Sequence, residues 1–277
     1  MLHKIFKGAA PVLALALAAS LAGCDSRISI NGSDGVPLSD LDLGGKAPDE
    51  LVLAGPDTVI VTRGDKLKID VGGDADAAEA LRFTLDDGAL GVMRQNDWKG
   101  DGKATVRVTL PELSKLTIAG SGTVQADRVS GDAELVIAGS GTARVASIDT
   151  DDLDVTIAGS GTLEASGRAR SLDLTFAGSG TASMAGLKVE AAEVTIAGSG
   201  DASFASDGTV EATVMGSGNV TVVGRAKCTI ESMGSGKLQC TPDASAPAGA
   251  SATAAPTSVG ASPVGQASPT PPPPPAE

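Results

Sequence analysis

The chain has one histidine, His3, and no tyrosine. That histidine lies in a leader segment, so no imidazole is left to activate a serine or cysteine nucleophile by the usual route. Basic residues are scarce too, with 21 Lys+Arg against 34 Asp+Glu and a net charge of −13. A surface of that sign repels polyanions and anionic head groups, and nucleic-acid binding is set aside. Cysteines number three, too few for a disulfide scaffold. The apolar stretch from Ala9 to Ala19 is too short for a membrane-spanning helix.

Glycine, by contrast, is plentiful at 36 residues, and it recurs on a schedule. The tripeptide Gly-Ser-Gly begins at Gly120, Gly139, Gly159, Gly178, Gly198, Gly216 and Gly234, at intervals of 18 to 20 residues. A period of that length marks a solenoid. Apolar residues alternate on either side of the glycines, which is the signature of a strand. Four residues before each first glycine stand Leu116, Leu135, Val155, Leu174, Val194, Ala212 and Ile230. Two before it stand Ile118, Ile137, Ile157, Phe176, Ile196, Val214 and Ser232. Further apolar columns follow four and six residues after it, from Val124 and Ala126 to Leu238 and Cys240. One copy cannot bury such a face alone, but stacked copies share an interior. The reading is all-β: a parallel β-helix of about seven coils over 115–241, headed by a β-rich cap over 51–114. In that cap, Asp74 caps a short helix and Trp98 serves as a packing residue.

The ends differ in character. Residues 1–23 read as an export signal, with Lys4 and Lys7 ahead of the apolar stretch and Leu21-Ala22-Gly23-Cys24 closing it. This resembles a bacterial lipoprotein signal, in which Cys24 becomes the lipidated first residue. Removal of the signal leaves 34 acids against 19 bases, or −15, because only Lys4 and Lys7 depart. Asp25 resembles the signal that retains enterobacterial lipoproteins in the inner membrane; the outer membrane is the alternative. Residues 24–50 read as a flexible tether, and 242–277, rich in Ala, Pro, Ser and Thr, as a disordered tail.

The segments VIVTRGDKLKIDVGGD, LDDGALGVM and VRVTLPELSKLTIAGSG, with the serial IAGSG coils, resemble the bacterial family called putative auto-transporter adhesin, head GIN domain. The resemblance covers about residues 51–241. It implies an exported β-helical domain, often carried on lipoproteins, with no established catalytic residues to carry over.

Three groups are candidate sites. Five residues before the first glycine stand Glu134, Asp154, Asp173, Glu193 and Glu211, a file of carboxylates on one outward face. Such a file is either a solvated wall or a face for Ca²⁺ or another ligand. The acid cluster Asp149–Asp154 lacks EF-hand spacing, and the connections show no Arg/Lys/acid trio at one level, as a lyase groove would need. The seven corner serines are expected to form a hydroxyl ladder. Cys228 and Cys240 form an even pair in an oxidising compartment, able to bridge if the last coil is pinched. The expected protein is a non-enzymatic envelope lipoprotein with no cofactor, facing the periplasm. Expected partners are the membrane, an envelope polysaccharide or protein ligand, and further copies joined through coil ends. The alternatives are a Ca²⁺-dependent carbohydrate-binding module and a glycan-acting enzyme.

Overall fold

The computed structural model describes residue 30 and residues 32–242. The export signal, Cys24, Asp25 and the tail from Asp243 onward lie outside the described residues. The chain is an all-β parallel solenoid. Its regular part runs through β7 (Lys115–Gly120), β8 (Thr123–Ala126), β9 (Val129–Ser130), β10 (Ala133–Gly139) and β11 (Thr142–Gly159). It continues through β12 (Thr162–Gly178), β13 (Thr181–Gly198), β14 (Asp201–Gly216), β15 (Asn219–Val223), β16 (Lys227–Gly234) and β17 (Lys237–Thr241). Each coil has a first side before the Gly-Ser-Gly corner, a second side after it, and a third side leading to the next coil. Corner glycines stand in register: Gly120 with Gly139, Gly139 with Gly159, Gly159 with Gly178, and so on to Gly216 with Gly234.

The corner needs glycine twice, for two reasons. Gly139 has φ +116°, and a Cβ there would lie 2.6 Å from the carbonyl oxygen of Gly120 in the preceding coil. A Cβ on Gly141 would lie 2.5 Å from Cγ2 of the inward Ile118. The first glycine therefore permits the turn and the close stacking, and the second leaves room for the interior. Between them, backbone amides carry the corner upward. The N–H of Ser160 donates to Gly139 at 2.8 Å, and that of Ser179 donates to Gly159 at 2.8 Å. The serine residues themselves are exposed. Main-chain groups, rather than the expected hydroxyls, form the corner ladder.

The apolar columns face inward, and Leu174, Phe176, Val194 and Ile196 are fully buried. Each such side chain contributes on the order of 2 kcal/mol. A further inward column stands six residues before the corner, at Ala133, Leu153, Leu172, Ala192 and Val210. The third side absorbs the variation in coil length. Its register slips between Val145 and Ile148, between Glu164 and Ser166, and between Met184 and Lys188, while the first side stays in step.

The region before Lys115 is more than a cap. β1 (Glu50–Ala54) and β2 (Thr58–Arg63) form a coil of their own, parallel to β7 and β8. Gly55-Pro56-Asp57 takes the place of the Gly-Ser-Gly corner. The chain then makes β3 (Lys68–Gly73), helix α1 (Ala75–Glu79) and β4 (Leu81–Asp86). It returns through β5 (Ala89–Arg94) and β6 (Ala104–Leu110), which stack parallel on the far face of β1 and β2. The β1–β2 coil is thus held between a later level and the first repeat, out of chain order. The end is closed by β3 and β4, antiparallel to β6 and β5, with Ala77 of α1 buried beneath. Asp74 caps α1 by accepting from the Ala77 N–H at 2.9 Å. The strand pattern of residues 51–61 matches that of the repeats, and an aperiodic corner hides the match.

The tether reading of 24–50 is corrected over its described part. Val36 exchanges two backbone hydrogen bonds with Phe83, at 2.9 and 2.8 Å. Ile30 is buried beside Val52, Ala54 and Met93, and Leu38 and Leu41 pack on the core. Apolar side chains spaced through a polar segment anchor it to the covered end.

At that end Asp57 and Arg94 form a buried ion pair, with Nε–Oδ2 at 2.6 Å and Nη2–Oδ1 at 2.5 Å. The Ala104 N–H also donates to Asp57 at 2.7 Å, and Trp98 covers the guanidinium at 3.8 Å from its ring centroid. At the other end, Cys228 and Cys240 are joined in a disulfide with Cα atoms 6.7 Å apart. Both occupy inward columns, in register with Val210 and Val222.

Candidate functional site

Two outward surfaces gather charge. On the first side the carboxylates form one unbroken ladder. Glu134 stands beside Asp154, Asp154 beside Asp173, Asp173 beside Glu193, and Glu193 beside Glu211. Lys115 and Glu50 extend the file toward the covered end, and Lys115 Nζ reaches Glu134 at 3.6 Å. Parallel neighbours lie about 4.8 Å apart, so like charges crowd. Desolvation against the sheet, followed by the charges of Asp154 and Glu193, pushes the Asp173 carboxyl above its ordinary range. Asp154 is raised by desolvation and then by Asp152, and Glu50 by desolvation opposed by Lys115. The file supplies carboxylates one at a time along a wall. Among the described residues, no group of three or more His, Cys, Asp or Glu is placed to hold a metal ion.

The third side is different. Here the acid cluster of β11 meets bases from the neighbouring coils. Asp149 accepts from Arg128 at 2.5 Å and from Arg168 at 2.8 Å. Arg170 pairs with Asp151 at 2.7 Å, and Lys188 with Asp207 at 2.7 Å. Hydrogen bonding to Arg168, with the charges of both arginines, draws Asp149 below the usual carboxylate range. Lys188 and the Arg225 N–H do the same for Asp207. A shallow hollow of about 690 Å³ opens among Asp132, Asp149, Asp151, Arg168, Arg170 and Glu190. Basic and acidic groups therefore do converge, drawn from adjacent levels instead of one. The signal was one coil period: Arg168 follows Asp149 by 19 residues, and Arg170 follows Asp151 by 19. These pairs are exposed, with Arg168 at 77% and Arg170 at 65%, so each adds little to stability. Together they set the charge pattern that any ligand on this side would meet.

Residues 47–226 match the family described as putative auto-transporter adhesin, head GIN domain. The chain belongs to that family. The matched span of the head GIN domain includes both charged surfaces and stops before the last coil. Among solved structures, a putative adhesin from Bacteroides fragilis is similar with a TM-score of 0.62 at 20% identity, covering 72% of this chain and 92% of its own. A putative lipid binding protein from Parabacteroides distasonis gives 0.54 at 22% identity, with 70% and 92% covered. A putative adhesin from Parabacteroides merdae gives 0.52 at 19% identity, again with 70% and 92% covered. At such identities the likeness establishes a shared fold. No curated protein matches the chain.

Proposed function

We propose that this head GIN protein is a non-enzymatic cell-envelope lipoprotein, anchored through Cys24, whose solenoid presents a rigid surface for adhesion. The family description supports an adhesion-type role at the bacterial envelope. The observation that carries the reading is the stacking of charge on paired strands: Asp149 stands beside Arg168 and Arg168 beside Lys188 on successive levels, each held by the ladder beneath it. Such a wall binds by repetition. The third-side hollow is the contact area, and a hydroxyl-rich or zwitterionic envelope polymer is its ligand class, since Arg168 and Arg170 alternate with Asp149 and Asp151 along it.

Asp25 favours placement at the inner membrane, facing the periplasm. Cys24→Ala in the full chain should move the protein from the membrane fraction to the soluble periplasm, and unchanged membrane retention would refute the anchor. A glycan array probed with the full chain, with and without Ca²⁺, tests the surface. Binding that Arg168→Ala weakens supports the hollow, and a blank array on envelope polysaccharides counts against it. Turnover of peptidoglycan or a uronate polymer would replace the adhesive reading with an enzymatic one.

A further inference from the structure

The last coil ends differently from every coil before it. β16 pairs with β14, and β17 with β15, while their outer edges have no strand beside them among the described residues. An unpaired row of N–H and C=O groups is a template for another strand. Apolar side chains collect at the same place, with Ile230 at 38% exposure and Met233 at 69%. The side-chain columns also change character there. The carboxylate file stops at Glu211, and Thr229 takes its next position. Two residues along the strand in either direction, Glu231 stands beside Thr213 and Lys227 beside Thr209.

We propose that two copies of this chain join through β16, antiparallel about a two-fold axis at Thr229, as a closed dimer. Head-to-tail stacking would need a matching free edge at the other end. There β4 is engaged by Val36, and β3 runs antiparallel and ends in Gly72 and Gly73. The other edge of β3 has no strand beside it among the described residues either, but β16 carries its own complementary charges, and a contact between like ends closes on itself. Directly opposed residues in an antiparallel pair share a face, which puts the axis at a residue and not between two; near the middle of β16 the choices include Thr229, Ile230 and Glu231. Centring on Glu231 would set that carboxylate against its own copy. Centring on Ile230 places Lys227 across from Met233 and leaves Glu231 unmatched. Centring on Thr229 places Lys227 across from Glu231 twice and lays Cys228 over Ile230 on the core side. The missing acid at Thr229 then has a purpose, since a carboxylate there would face itself on the axis.

The chain's own C-terminal sequence is a poor occupant of this edge. Prolines stand at 242, 247, 256, 263, 269 and 271–275, and each lacks the donor a ladder needs. The intervening residues are mostly Ala, Gly, Ser and Thr, with little apolar surface to cover Ile230.

Sedimentation velocity on the full chain in detergent, with its disulfide intact, tests the proposal. A concentration-dependent dimer is expected. Lys227→Glu should raise its dissociation constant about tenfold or more, and Lys227→Glu with Glu231→Lys should restore it. Unchanged circular dichroism and thermal midpoint would show that these exposed substitutions leave the fold intact. A monomer at every concentration overturns the proposal. So does a dimer indifferent to Lys227→Glu, or one that the double reversal fails to rescue. Species growing beyond the dimer would show a filament and overturn it as well.

Discussion

The two ends of the solenoid solve one problem in opposite ways. Near residue 50 the terminal level is hidden under antiparallel strands, a one-turn helix and the segment around Val36, and a buried Asp57–Arg94 pair plugs the opened corner. Near residue 241 the terminal level has no strand beyond it among the described residues and is held by one covalent bridge. The first end is closed by packing that depends on the whole head. The second is closed by local chemistry, so its failure should stay local.

The most severe way to break this contrast is to strand a buried charge. Asp57→Ala leaves Arg94 unpaired in the interior, an expected loss of about 3–5 kcal/mol. For a domain of this size that lowers the melting temperature on the order of 10 °C, read by calorimetry as one cooperative transition. Replacing Cys228 and Cys240 by alanine removes a bridge worth about 3 kcal/mol in the loop-entropy account. Its effect should be confined to the last coil. Hydrogen exchange should quicken at Cys228–Thr241, while Leu51 and Val59 keep their protection. Loss of protection throughout would show that the open end is as coupled as the covered one.

Between the ends, the two charged sides give smaller effects of opposite sign. The Asp173 carboxyl is raised in the folded chain, so between the ordinary value of 3.8 and the raised one the folded state holds more protons than the unfolded. Stability carried by this group therefore falls as pH rises through that window. Asp173→Asn should raise the melting temperature at pH 7 by a degree or two, and the gain should vanish near pH 3. Asp149 and Asp207 behave inversely: their folded-state pKa values are depressed, and what they contribute above 3.8 is lost as pH falls through the folded values. Asp149→Asn should lower the midpoint slightly at pH 7 and have no effect at strongly acid pH. Smallest of all, Met233→Lys at the bare end should change stability by no more than about 0.5 kcal/mol.

Wherever the tripeptide keeps time, the sequence was easy to read. Leu116, Ile118, Val124 and Ala126 could be placed on one interior because each recurs at a fixed offset from a corner. The carboxylate file followed by the same counting. The β1–β2 coil escaped because Gly55-Pro56-Asp57 masks its corner, although Leu51 and Leu53 stand where Leu116 and Ile118 do. Its place between β5 and β7 is a matter of chain threading, on which side-chain periodicity carries no information. The Arg168–Asp149 contact was hidden for another reason. The third side varies in length, so its columns drift when counted from the glycines and align only when counted from one acid to the next base.

That threading has a mechanical consequence. After its contacts at Ile30, Val36, Leu38 and Leu41, the polypeptide joins the coils at Glu50 between two parallel neighbours, β5 and β7. Once those contacts give way, tension from the N-terminal direction must shear β1 against two rows of hydrogen bonds loaded together. Tension at Thr241 meets one row of hydrogen bonds, to β15, and passes through the Cys240–Cys228 bridge into β16. A load applied from the N-terminal side therefore meets a doubly paired strand, and one applied at Thr241 meets a singly paired strand and its disulfide.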